Sequence, residues 1–135
     1  MDTGPLVAYL DAGDPAHAAV APCWDSFAGT LVTTSAVITE TMYFVSADPR
    51  GPGSLAELVA ASSMEVFDLS QTPELRAAAA LMTRYADTPM DYADATLLLL
   101  AEGLKVKHII TLDRRGFSVY RTRKNQALRN VLDMA

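Results

Sequence analysis

The chain has 135 residues, half of them hydrophobic and 20% charged, with a net charge of −5 and a single cysteine, Cys23. Length and composition point to one globular domain over 1–135 and exclude disordered, fibrous and disulfide-framework proteins. The longest strongly apolar stretch, Ala95 to Ala101, is far too short to span a bilayer. With no basic region ahead of an apolar segment at the N-terminus, the expectation is a cytoplasmic protein without membrane association.

Capping residues punctuate the chain. Leu6 to Leu10 reads as an apolar helical run, and Asp14-Pro15 predicts a helix to about Phe27. A short strand at Leu31 to Thr34 is followed by a helix that Ser35 caps and that runs to about Val45. Residues 48–53, Asp-Pro-Arg-Gly-Pro-Gly, read as a loop, and the spacing of Ser54 and Glu57 predicts a capped helix after it. A strand is predicted at Met64 to Leu69, and Thr72-Pro73-Glu74 opens a helix with Leu75, Ala78, Ala79, Met82 and Tyr85 on its apolar face. Asp91 caps a helix to about Gly103, His108 to Leu112 is a buried strand, and a last strand falls near Leu128 to Leu132. Short strands alternating with helices imply an α/β fold, an α/β/α sandwich with a mainly parallel central sheet.

Charge is unevenly spread. Residues 1–104 hold 14 acids and 3 bases, whereas residues 105–135 hold 8 bases and 2 acids. A basic tail beside an acidic body fits two arrangements: the tail meets an anion, or the halves neutralise each other.

Most acids fit capping or solvated positions, but several do not. Glu40 has Ala36, Val37, Tyr43 and Phe44 as its helical neighbours, which places a carboxylate on an apolar stripe. The alternative is a glutamate that snorkels or pairs with an arginine. Asp94 opens a helix that is apolar nearly all round, where it is either a functional acid or a first-turn partner of the helix dipole. Asp91 is placed as an N-cap, and Asp113 falls just past the carboxyl end of a buried strand, where open α/β sheets bind ligands or where a turn needs an acid. Gathered carboxylates repel, by roughly 4 kcal/mol per pair at ~4 Å and an effective dielectric of 20, so they require raised pKa values or bound cations. Hard oxygen donors without His or Cys select Mg²⁺ or Mn²⁺ over Zn²⁺. The two histidines, His17 and His108, lack zinc-ligand spacing, and no Walker loop, GxGxxG or GxSxG is present. A carboxylate cluster holding Mg²⁺ most often handles phosphates.

Four segments, Asp2-Thr3-Gly4-Pro5-Leu6, Thr33-Thr34-Ser35-Ala36-Val37-Ile38-Thr39-Glu40-Thr41, Met90-Asp91-Tyr92-Ala93-Asp94-Ala95 and Thr111-Leu112-Asp113-Arg114-Arg115, resemble in order the acidic motifs of PIN-domain ribonucleases, in particular VapC-type toxins of bacterial toxin–antitoxin pairs. The resemblance implies an endoribonuclease that hydrolyses RNA with Mg²⁺ or Mn²⁺. It assigns Asp2, Glu40, Asp94 and Asp113 as catalytic and metal-binding acids, Asp91 as an additional metal ligand, and Thr3 as a polar residue bordering the site. It further implies a cognate antitoxin partner and a homodimer. Arg114 and Arg115 are then expected to bind substrate phosphates, with Arg121, Arg123, Lys124 and Arg129 behind them and Phe117 and Tyr120 as stacking or core rings. Relatives carry several apolar residues ahead of the first acid, as a first strand; only Met1 precedes Asp2 here, so translation starts further upstream, residues were removed, or the strand is nearly absent, and the upstream start is the expectation. Two other readings are a catalytically silent PIN-like binding module and a phosphatase or receiver-type acidic pocket; Asp2-Thr3-Gly4 lacks the second acid that the latter requires.

Overall fold

The computed structural model describes residues 1–134. Seven α-helices and four short strands alternate along them, in the order α1 (Thr3–Leu10), α2 (His17–Ser26), β1 (Val32–Thr34), α3 (Ser35–Val45), α4 (Gly51–Ser62), β2 (Glu65–Phe67), α5 (Thr72–Arg84), α6 (Tyr92–Leu104), β3 (His108–Ile109), α7 (Arg114–Val119) and β4 (Arg129–Asn130), with a final 3₁₀ turn at Val131–Asp133. The predicted α/β architecture with parallel strands is present: β1 pairs in parallel with β2, and β3 in parallel with β4. The two pairs are not hydrogen-bonded to each other directly. Between them lies the extended dipeptide Met1–Asp2. The Met1 ammonium donates to the Val32 carbonyl at 2.9 Å, Thr33 Oγ1 donates to the Met1 carbonyl at 2.7 Å, and the Asp2 amide donates to the Ile110 carbonyl at 3.0 Å.

Helix α6 is the centre of the core. Its residues 93–101 are buried without interruption, as expected of a helix apolar on all sides, and it packs on α3, α5 and β1. Leu98, 1% exposed, stands for a side chain whose burial contributes roughly 1.5–3 kcal/mol. Asp91 caps α6 as expected, and the helix ends at Lys105, which takes up a left-handed conformation.

Several boundaries differ from the sequence reading, each for a local reason. Asp14 does not cap α2: its carboxylate accepts from the Ala16 amide at 2.8 Å in a tight turn, and the helix begins at His17. The cap of α3 is Thr34, whose hydroxyl accepts from the Val37 amide, not Ser35. Helix α4 begins at Gly51, inside the expected loop, with Pro52 in its first turn, so Ser54 lies within the helix rather than at its cap. Gly51 is required there because a Cβ would run into the Val45 carbonyl oxygen. The capping box of α5 is Gln71 with Glu74, and Leu75 on that helix is exposed, leaving Ala78, Leu81 and Tyr85 on the buried face.

Candidate active site

The acids singled out in the sequence arrive from four places in the fold and line one open cavity of about 360 Å³. Asp2, Glu40, Asp91, Asp94 and Asp113 all border it, together with Thr3. Asp2 leads into α1 and Glu40 lies on α3. Asp91 and Asp94 start α6, and Asp113 starts α7. This convergence follows from helix starts meeting at the carboxyl ends of parallel strands, where helix dipoles favour negative charge.

Four of the five carboxylates are held by their own helix starts; Glu40, in the middle of α3, is not. Asp2 accepts from the Thr3 amide at 2.8 Å and from Thr111 Oγ1 at 2.6 Å. Asp91 accepts from the Asp94 amide at 2.8 Å, and Asp94 accepts from the Asp91 amide at 3.1 Å, a reciprocal capping box. Asp113 accepts from the Gly116 amide at 2.9 Å. Asp91 therefore satisfies both roles considered for it, cap and cavity acid. These capping bonds each engage one oxygen of a group that has two.

Burial and crowding raise the pKa values of three of these acids. Asp94, 9% exposed, is pushed up to about 8, first by desolvation and then by the charges of Asp91 and Asp2. Burial also raises Asp2, against the lowering effect of its bonds from Thr111 and Thr3. Glu40 is raised by burial and by Asp91. Beneath them the Tyr120 phenol is pushed up to about 12 by burial and the surrounding carboxylates, while it donates to the Pro89 carbonyl at 2.7 Å. Glu40 is not on a core stripe: its neighbours Tyr43 and Phe44 are 78% and 52% exposed, and Phe44 borders the cavity beside it.

Two members of the site were not read from the sequence. Thr111 joins two acids, donating to Asp2 and accepting from the Asp113 amide at 3.0 Å. The only signal was a hydroxyl residue buried in an apolar strand. Asp14 also borders the cavity, although the sequence accounts for it only as a helix cap.

The arginines do not join the acids. Neither Arg114 nor Arg115 borders the cavity; Arg114 pairs with Asp133 at 2.8 Å, and Arg115 is exposed. Arg123 pairs with Glu102, and Arg121 donates to the Ser118 and Tyr120 carbonyls, so part of the tail neutralises or caps its own chain. Phe117 and Tyr120, at 4% and 1% exposed, are core residues and cannot stack on a base.

The residues suit a hard divalent cation in chemistry. All the donors are oxygen, burial and then neighbouring charge hold Asp94, Asp2 and Glu40 above the ordinary carboxylate range, and buried Thr3 Oγ1 has no hydrogen-bond partner. Among the described residues, however, no three His, Cys, Asp or Glu side chains stand close enough together to hold an ion without side-chain rotation.

Comparison with known proteins gives the same architecture. The PIN domain family matches residues 1–122. The chain is 38% identical over 123 residues to Ribonuclease VapC26 of Mycobacterium tuberculosis (strain ATCC 25618 / H37Rv), covering 90% of each protein. The crystal structure of Mycobacterium tuberculosis VapC20, a Sarcin-Ricin loop cleaving toxin, superposes with a TM-score of 0.71 at 19% identity, over 79% of this chain and 83% of that one. With a family match over nearly the whole chain and acids converging at its helix starts, this protein belongs to the PIN-domain family.

Proposed function

We propose that this chain is the toxin of a cytoplasmic toxin–antitoxin pair, an endoribonuclease that hydrolyses RNA phosphodiesters with Mg²⁺ or Mn²⁺. The observation that carries this reading is the meeting of Asp2, Glu40, Asp91, Asp94 and Asp113 on one cavity in a chain 38% identical to a named ribonuclease. Asp2, Glu40, Asp91, Asp94 and Asp113 would hold the cation, which neutralises phosphate charge and lowers the pKa of water when bound. The chain's own residues supply the rest. Thr111 fixes Asp2 and the strand end that carries Asp113. Glu40, half-buried beside the cavity and with a raised pKa, is the acid suited to exchange a proton with an attacking water. Thr3, with its unpartnered hydroxyl, borders the bound phosphodiester. Arg115, exposed on the helix that Asp113 caps, approaches the RNA backbone, and Arg114 joins it when its surface pair with Asp133 opens. The cognate antitoxin blocks this cavity, and the chain works as a homodimer.

Calorimetric titration with Mn²⁺ followed by cleavage of a mixed RNA pool tests the assignment. Saturable binding and metal-dependent cleavage, both absent in Asp94→Asn, are the expected result. Absence of both in the unaltered chain transfers the assignment to a non-cleaving PIN module.

A further inference from the structure

The rings considered for stacking on RNA, Phe117 and Tyr120, are buried, whereas two rings that spacing places on an apolar stripe stand in the open beside the acids. Tyr43 and Phe44, consecutive on α3, are 78% and 52% exposed. Their centroids lie 5.5 Å apart at an interplanar angle of 74°. An edge-to-face pair of this kind leaves open ring faces that a parallel stack would cover. Single exposed apolar side chains are ordinary on a protein surface, but a contiguous aromatic pair at the edge of a polar cavity marks a place of contact.

Phe44 is also where two cavities meet. Phe44 and Val7 line the acid cavity, and both line a second one of about 370 Å³ that reaches the start of α4. The two cavities therefore form one trough with the Phe44 ring on the divide. The far compartment has Leu10 and Val45 as apolar walls and Asp11, Asp48 and Arg50 as its charges. Arg50 already pairs with Asp48 at 3.6 Å, so the balance there is acidic and does not suit a phosphate. A neutral, flat group with N–H donors at its edge fits better: the ring takes its face and the carboxylates take its donors. The volume is at the low end for small-ligand pockets, room for one nucleobase rather than for a partner's helix or strand.

We infer that Phe44, flanked by Tyr43, is a stacking platform for one unpaired base of the RNA, that of the nucleotide next to the phosphodiester held at the acids. The inference rests on the endoribonuclease reading above and adds a positioning residue to it. The phosphodiester belongs to the acid compartment with the cation. The strand then passes over Val7 and Phe44, and the adjacent base turns down onto the ring. A base anchored there fixes the strand along the trough, so that the phosphate keeps its register with the acids. Every base has a π-face, so the platform takes any base. A base stacked within a duplex has no free face, so the platform selects single-stranded RNA.

Two variants of the full chain test the inference. Phe44→Leu keeps an apolar side chain without a ring, and Phe44→Trp keeps a ring. Affinity for a short single-stranded RNA of mixed sequence is measured by fluorescence anisotropy over a range of salt, with Ca²⁺ as the oxygen-binding cation in place of Mn²⁺. Phe44→Leu should bind at least ~5-fold more weakly, and Phe44→Trp as tightly as the unaltered chain or more so. The log–log salt slope should be the same for all three, because no phosphate contact is lost. Binding by Phe44→Leu within ~2-fold of the unaltered chain would overturn the inference and leave the endoribonuclease reading standing. Equal weakening in both variants would overturn it as well, since the ring would then matter only for local structure. Unchanged RNA affinity together with weaker self-association in sedimentation would overturn it and assign the rings to a second copy of the chain. RNA that does not bind the unaltered chain would overturn both this inference and the reading on which it rests.

Discussion

Replacing Asp94 by Asn should stabilise the metal-free protein while abolishing its activity. The Asp94 carboxyl keeps its proton in the folded state up to about 8, from an ordinary value of 3.8. Between those values the folded chain binds more protons than the unfolded one, so this group's contribution to stability falls as pH rises through the window and levels off above it. At 1.36 kcal/mol per pH unit the shift sets an upper bound of about 5–6 kcal/mol on the cost of ionised Asp94. Partial solvent contact, relaxation of the neighbouring acids and the residual cost of burying an amide reduce the realised gain to roughly 1–3 kcal/mol. For a chain of this length that is about 4–10 °C in melting temperature. Asn keeps a side-chain oxygen to accept from the Asp91 amide, so the capping box survives the change. The assay is thermal melting of both proteins with a chelator at pH 5 and pH 8. The variant's advantage should be small at pH 5, reach its full size at pH 8, and shrink when Mn²⁺ is added to the unaltered protein. A variant that melts at or below the unaltered protein at pH 8 would refute the reasoning, because burial and the neighbouring acids would then not be opposing the ionisation of Asp94.

Thr111→Val removes the 2.6 Å bond to Asp2 and leaves a buried carboxylate with one partner fewer, at a cost of about 1–3 kcal/mol. Since that bond lowers the Asp2 pKa, the loss of melting temperature should be larger at pH 8 than at pH 5, and a loss independent of pH would dismiss the link. Gly116→Ala places a methyl against Asp113 Oδ2 and the Tyr120 ring, so the Asp113 carboxylate must move. Mn²⁺ affinity measured by calorimetry should fall at least ~10-fold, and unchanged affinity would remove Asp113 from the ligand set. Arg114→Ala with Arg115→Ala costs little stability, because the Arg114–Asp133 pair is half exposed. RNA affinity should nonetheless drop and its log–log salt slope flatten by about 1–1.5, as expected for two lost contacts to a single strand. An unaltered slope would leave both arginines outside the substrate path.

The sequence by itself determined the elements and the acids. Asp91 at an N-cap ahead of a leucine-rich helix, prolines and glycines at turns, and carboxylates in apolar surroundings are local signals, and the fold honours them at α6, α5 and the cavity. Caps were misplaced by a few residues at Asp14, Ser35 and Ser54: Thr34 takes the cap expected of Ser35, while α2 and α4 begin without any side-chain cap, where the path of the preceding turn sets the start. Tertiary structure alone decided what depends on distant partners. Tyr43 and Phe44 read as core by spacing but face outward, because α3 buries its Val37–Thr41 side instead. Arg114 turns to Asp133 and Arg123 to Glu102, pairings across 19 and 21 residues that no local pattern encodes. Thr111 gained its role from Asp2, 109 residues away. The seating of Met1–Asp2 between Val32 and Ile110 is likewise a relation between distant segments, visible only in the folded chain. Periodicity and capping report what a residue's own helix or strand requires, while charge pairing, buried hydroxyl partners and sheet continuity are fixed by whatever the folded chain brings alongside.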